Sequence, residues 1–303
     1  MTDAHDELNR VIAEEIGQPA AASVLAAADD IRARLGGHAR AILFYGSCLR
    51  RGGDPAEDDD SVLDFYALVE GYANLYDNPL LGLANWCLPP NVFYADVPWQ
   101  GRSLRVKYAV ISERAFGRGC TNRSLHPRLW GRFAQSSRLV YAQDERARRN
   151  VADALADAVV TLLGAVRPLL PADCPAQDLW TRALAESYCT ELRAEGAGRV
   201  DAIIAADTAR YAALTPLALA SLRPTSPGRA RVLWAVRRAI GKPMSVARLV
   251  KGVFTFAGGQ SYILWKVHRH SGVTLKPTPW QQKHPLLSAP LLAWRLYRLG
   301  AFR

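Results

Sequence analysis

Two short runs carry the chemistry of this chain: Phe44-Tyr45-Gly46-Ser47, and Val62-Leu63-Asp64-Phe65-Tyr66-Ala67-Leu68-Val69. The first reads as a buried strand ending in a Gly-Ser turn that opens a helix, and the second as a strand interrupted by one carboxylate. Backbone N–H groups at such a turn can hold phosphates, and a strand carboxylate can hold a divalent metal. A Gly-Ser before a helix is equally explained by a tight turn and a helix cap. Asp64 adds weight, because an unpaired carboxylate in an apolar strand is costly and implies a cation nearby.

This is the outline of a nucleotidyltransferase site, whose usual Asp-x-Asp pair places two carboxylates on one strand face around magnesium. Here Val62 occupies the first of the two positions. Asp60 shares the face by alternation but lies about 13 Å from Asp64 along an extended strand, at roughly 3.3 Å per residue. Asp58 and Asp60 belong to the acidic run Glu57 to Asp60 after Gly52-Gly53-Asp54-Pro55, which also reads as a solvated turn. A second metal ligand is therefore expected from elsewhere, with Glu191 the first candidate and Asp96, on a later strand, the next.

Lys107 falls within the apolar strand Ser103 to Ile111, alternating with Arg105, where a point charge suits a phosphate or a snorkelling stem reaches water. Tyr188 and Glu191 are placed on one helical face by their spacing, with Arg193 beside them as a phosphate contact; a surface Glu-Arg helix fits the same residues.

The elements that must position these groups follow from periodicity and turn signals. Two helices are expected over residues 7 to 36, the second from Ala20 to Leu35 and closed by Gly36-Gly37. Strands follow at Ala39 to Tyr45, Val62 to Val69, Asn91 to Val97 and Ser103 to Ile111. From Asp144 onward, Ala-rich amphipathic segments at Asp144 to Val166, Ala176 to Ala194, Arg199 to Arg210 and Arg229 to Ile240 predict a helical second half. Leu222 to Arg231 reads as a linker. The expected fold is α+β: a nucleotidyltransferase-like mixed sheet with flanking helices over residues 1–142, a helical domain over 143–225, and a basic, aromatic segment over 226–303.

Several of these runs, in order, resemble the mitochondrial-type phosphatidate cytidylyltransferases, the translocator assembly and maintenance family. The similarity rests on Phe44-Tyr45-Gly46-Ser47, on Val62-Leu63-Asp64-Phe65 with its apolar residue in place of the first Asp, and on Val106 to Ser112. It extends to the aromatic Val92-Phe93-Tyr94, to Ser187-Tyr188-Cys189-Thr190-Glu191-Leu192-Arg193, and to Ser245 to Thr255 around Lys251-Gly252. Cys48 stands in place of a small residue, Glu191 in place of Asp, and Tyr76 to Leu81 in place of a His-rich segment. The resemblance implies a bacterial member that makes CDP-diacylglycerol and pyrophosphate from CTP and phosphatidic acid with magnesium. Asp64, Lys107 and Arg193 would be its catalytic residues. Tyr45, Gly46, Ser47, Lys107 and Tyr188 would bind the nucleotide, and Asp64, Glu191, Asp60 and Asp96 would supply metal ligands.

Composition sets the outer limits. The chain has 303 residues, 50% hydrophobic and 22% charged, which excludes a disordered protein. Its formal charge of +10 points to an anionic partner. Basic residues are concentrated after Leu222 and are interleaved with Trp and Phe, which suits an anionic membrane surface. Lys251, Trp265, Trp294, Arg295 and Arg298 are the expected lipid contacts, and Ala289 to Arg303 an interfacial helix or one docked on the core. RNA is the rival partner for this segment, although no nucleic acid is expected with the transferase reading.

The five cysteines have no CxxC pair and favour a reducing compartment, and no Cys/His spacing suggests zinc. The first ten residues lack the basic start and apolar run of a secretion signal, and no window is long and apolar enough to span a bilayer. A cytoplasmic protein, peripheral on the inner membrane, is the expectation. The alternatives are a nucleotidyltransferase for a soluble acceptor, such as an aminoglycoside or an RNA 3′ end, and a non-catalytic binding protein with a decayed site.

Overall fold

The computed structural model describes residues 2–52, 61–191 and 197–255, together with residues 278, 280, 281 and 295. Strict alternation along the strands divides their side chains between two cores. In β2 (Val62–Val69), Leu63, Phe65, Ala67 and Val69 enter one core, and Tyr66 and Leu68 enter the other, on the face that also carries Asp64. With β1 (Ala39–Tyr45), β3 (Asn91–Trp99), β4 (Arg102–Ser112) and β5 (Ser137–Ala142), β2 forms a mixed five-stranded sheet in the order β3-β4-β2-β1-β5. The β2–β4 pairing is parallel and the others are antiparallel. β5 is an addition to the strands expected from the sequence.

The helices at the start of the chain are α1 (Thr2–Ile16) and α2 (Ala22–Arg34). Val24, Ala27, Ala28 and Ile31 of α2 cover the Phe44–Phe65 face of the sheet. The opposite face is packed by α1, by α5 (Glu113–Cys120), by α6 (Arg128–Phe133) and by α7 (Glu145–Val166). Asp144 caps α7, its carboxylate accepting from the Ala147 N–H at 2.7 Å. Leu155, Val159, Leu162 and Leu163 of α7 are buried, each contributing about 1.5–3 kcal/mol of transfer free energy. The expected boundary at 142/143 falls between β5 and α7, and the core beneath α7 is continuous from Leu8 to Trp234.

The remaining helices are the short α3 (Ser47–Arg50), α4 (Pro79–Cys87), α8 (Ala176–Tyr188), α9 (Ala197–Ala205), α10 (Thr208–Ala220) and α11 (Pro227–Thr255). Several boundaries differ from expectation, among them the end of α11, which runs to Thr255 and not to Ile240. Arg199 to Arg210 spans two helices, with Asp207 between them. Helix α11 starts at Pro227, where the missing proline N–H costs nothing in a first turn, so the connection is shorter than Leu222 to Arg231. α8 stops at Tyr188 and not at Ala194, because the Thr190 hydroxyl donates to the Ser187 carbonyl at 2.7 Å and closes the end of the helix. Among the described residues, no helix is long and apolar enough to cross a membrane.

Candidate active site

Gly46 joins β1 to α3 with φ 97°, a conformation that favours glycine. A Cβ at this position would stand 3.3 Å from Asp64 Oδ2, so the backbone passes directly against the carboxylate. The ladders place Asp64 between Tyr45 on β1 and Lys107 on β4. Lys107 Nζ lies 3.1 Å from Asp64 Oδ1, with the two side chains 36% and 24% exposed. Strand, turn and carboxylate thus meet as expected. Ser47 opens a helix of only four residues, so the macrodipole there is small and the turn itself contributes most of the local N–H groups.

An aromatic wall extends from this pair. The Tyr45 ring meets Tyr66 at 5.5 Å and Phe133 at 5.6 Å. Burial pushes the Tyr45 phenol up, and the Asp64 charge adds to it against Arg132 and Lys107, so the hydroxyl remains protonated. Helix α6 presents Arg128 and Arg132, one turn apart, to this wall. Arg128 Nη2 donates to Tyr66 Oη at 2.8 Å. The Arg132 guanidinium lies 5.8 Å from the Tyr45 ring centroid, and its Nη2 is 3.8 Å from Glu191 Oε1. Burial raises the Tyr66 phenol, but the charges and hydrogen bonds of Arg128 and Arg132 more than reverse this, leaving it below its ordinary value.

Helix α11 closes the site from above. Its Gly241 passes so close to Thr190 that a Cβ would meet the carbonyl oxygen at 2.3 Å. That contact sets the helix against the Thr190–Glu191 segment, and about two turns further on Arg248 enters the cluster. Arg248 Nε and Nη1 are buried without an acceptor among the described residues. Burial, reinforced by Arg128, brings its pKa down to about 10, so it keeps its charge at neutral pH. His126 Nδ1 accepts from the Arg128 N–H at 3.2 Å, which makes Nε2 the protonated nitrogen. Nε2 faces the Gly241 carbonyl without reaching hydrogen-bond geometry. Burial first, then Arg248 and Arg128, lower the His126 pKa to about 4. His126 is therefore a neutral donor beside three guanidinium groups.

Of the expected site residues, Asp64, Lys107, Tyr45, Gly46 and Ser47 come together. Glu191 reaches the same wall through Arg132, but from a turn beyond α8, where its N–H donates to the Tyr188 carbonyl at 3.0 Å. Tyr188 ends α8, and its hydroxyl accepts from Gln135 Nε2 at 3.1 Å. Asp96 is separated from Asp64 by β4, roughly 10 Å across two strand spacings, and accepts from Tyr94 Oη at 3.0 Å. It is therefore not a neighbour of Asp64.

Lys251, expected at a lipid surface, is turned inward. Its Nζ donates to the Leu88 carbonyl, to the Pro90 carbonyl at 2.6 Å and to Asn91 Oδ1 at 3.0 Å. Burial, followed by Arg128 and Arg248, lowers its pKa to about 8. Arg295 is exposed. Asp60, Arg193, Trp265, Trp294 and Arg298 lie outside the described residues.

Arg128, Arg132, Tyr66, His126 and Arg248 were not anticipated. The available signal was the i, i+4 spacing of Arg128 and Arg132, and the i, i+3 spacing of Arg248 and Lys251. Among the described residues, no three His, Cys, Asp or Glu side chains converge on a point that could hold a metal ion. Asp64 gives one oxygen to Lys107 and turns the other toward Gly46. A lone carboxylate of this kind fits magnesium in the mode where substrate phosphates and water supply most of the ligands.

The cations of the site, Lys107, Arg128, Arg132, Arg248 and Lys251, outnumber its carboxylates, Asp64 and Glu191. An excess of cations of this kind can attract oxyanions and stabilise negative charge that develops on them. No protein-family model matches the chain, and no curated protein matches it.

Proposed function

We propose that the chain is a nucleotidyltransferase that passes a cytidylyl group from CTP to the phosphate of phosphatidic acid. The observation that carries this reading is the arginine cluster, with buried donors on Arg248 that lack an acceptor among the described residues, set against Asp64 and Lys107 at the end of a strand–Gly–Ser–helix turn. Unsatisfied buried donors around guanidinium groups call for a ligand rich in acceptor oxygens, and a triphosphate or lipid phosphate is one.

The reaction needs no protein nucleophile. A phosphate oxygen of the acceptor attacks the α-phosphorus of CTP, the bond to the bridging oxygen breaks, and pyrophosphate leaves with its electron pair. Arg128, Arg132 and Arg248 hold the phosphates in line and neutralise charge on the leaving group, while Lys107 is kept in place by Asp64. The Tyr45–Tyr66–Phe133 wall excludes water from one side. Magnesium, held by Asp64 and by the nucleotide's own phosphates, would neutralise further charge when bound.

A lipid acceptor requires a protein peripheral to the membrane, a role assigned here to the basic, aromatic segment after residue 255. The inward turn of Lys251 removes one expected membrane cation, and this favours, as a second reading, the same transfer to a soluble phosphate acceptor. Labelled CTP incubated with phosphatidic acid and magnesium should yield labelled CDP-diacylglycerol with the natural chain and none with Asp64→Asn. Equal product from both would overturn the site assignment.

A further inference from the structure

A cleft opens at the far end of β2 from Asp64. Its volume is 1340 Å³, and its walls are α5, α7, the turn before α11 and the first turns of α11. Leu68, Phe116, Ala154, Val160 and Leu233 make an apolar floor, and Arg114, Arg118, Arg123, Arg146, Arg223 and Arg229 stand around it. Its acids are three, Glu113, Asp153 and Asp157: Glu113 accepts from Asn150 at 2.8 Å, and Asp157 stands 3.9 Å from His5 and within reach of the Arg123 charge, so the six arginines outnumber them. None of the residues assigned to the cytidylyl-transfer site lines it.

Arg237 also lines this cleft, and it is only 5% exposed. Its guanidinium packs against both Trp130, at 5.2 Å, and Trp234, at 4.9 Å, whose rings meet edge to face. Nε and Nη1 are buried without an acceptor among the described residues. No carboxylate among the described residues pairs with it. A buried guanidinium keeps its charge, so the aromatic faces offset only part of its desolvation.

We infer that this cleft is a second anion site, taking a phosphomonoester with Arg237 as its buried anchor. The exposed arginines draw the phosphate in, and the apolar floor receives the organic part of the ligand. Arg237 and Arg248 are separated by roughly 16 Å along α11, so one phosphate cannot engage both. The two sites are therefore distinct, and this one does not depend on the proposed transferase activity.

Glycerol 3-phosphate and monomeric dihexanoyl phosphatidic acid present the same phosphomonoester without and with acyl chains. Each is titrated calorimetrically into the full chain in an Arg128→Gln background, which weakens the other site. Binding should persist in that background and weaken about tenfold or more when either Arg237→Gln or the exposed Arg229→Glu is added. Binding of both ligands identifies a soluble phosphate as sufficient, and binding of the lipid alone identifies a headgroup. Failure of both ligands to bind, or binding indifferent to Arg229→Glu and Arg237→Gln, would overturn the proposal.

Discussion

Lys107 Nζ stands 3.1 Å from Asp64 Oδ1 across the parallel ladder of β2 and β4, so the strand carboxylate of the candidate site is held by a cation of its own sheet. Each partner keeps part of its surface in water, and the pair contributes about 0–1 kcal/mol to stability. Its value lies in position: it leaves a partly exposed carboxylate and ammonium group beside Tyr45, on the side of the sheet where Arg128 and Arg132 also stand.

Asp64→Asn should therefore abolish nucleotidyl transfer with a loss of stability of about 1 kcal/mol or less. Product formation and the urea midpoint measured on the same preparation check this. A variant that unfolds early, or one that keeps its rate, would speak against a functional role for the carboxylate.

Gly46→Ala should cost about 1–3 kcal/mol from its left-handed backbone and should also displace the Asp64 carboxylate, removing activity. Gly52→Ala provides the comparison. Gly52 has φ 108°, yet nothing lies within 4 Å of where its Cβ would be, so this variant should lose stability and keep its rate. Denaturation and turnover of the two variants separate strain from contact.

Arg248→Met should stabilise the free protein by about 1–3 kcal/mol, because it removes buried donors that lack acceptors. The same change should weaken nucleotide binding. Thermal unfolding with and without CTP tests both parts: the variant should melt higher than the natural chain alone and gain less from the ligand.

His126 sets a pH dependence. Its folded pKa of about 4 lies below its ordinary value, so between about pH 6.5 and 4 the unfolded chain binds a proton that the folded chain refuses. Stability must fall as pH drops through that window, by about 3 kcal/mol from this group. Arg248, Arg128 and Arg132 face the imidazole. His126→Asn retains an acceptor near the Nδ1 position and should flatten the slope, as read from urea midpoints across the window.

How much of this was legible in the sequence follows from distance along the chain. Gly46, Asp64 and the strands around them are written in local alternation and turn chemistry, and Lys107 in its single charge within an apolar strand. Arg128, Arg132, His126 and Arg248 were not legible, because their roles depend on α6 and α11 packing over Tyr66, and no local pattern encodes that docking. The helical spacing of Tyr188 and Glu191 does not persist in the fold, since α8 ends at Tyr188, where the Thr190 hydroxyl competes for the backbone carbonyls. The burial of Lys251 is not legible either, because nothing in a basic stretch shows that three oxygens of the α4–β3 connection and the start of β3 will meet its amine.

The central claim, cytidylyl transfer to a lipid phosphate, is tested most directly by pyrophosphate release from CTP with magnesium, with and without phosphatidic acid in mixed micelles. The account predicts release that requires the lipid and disappears in Asp64→Asn. CTP binding without release at any lipid concentration would contradict it.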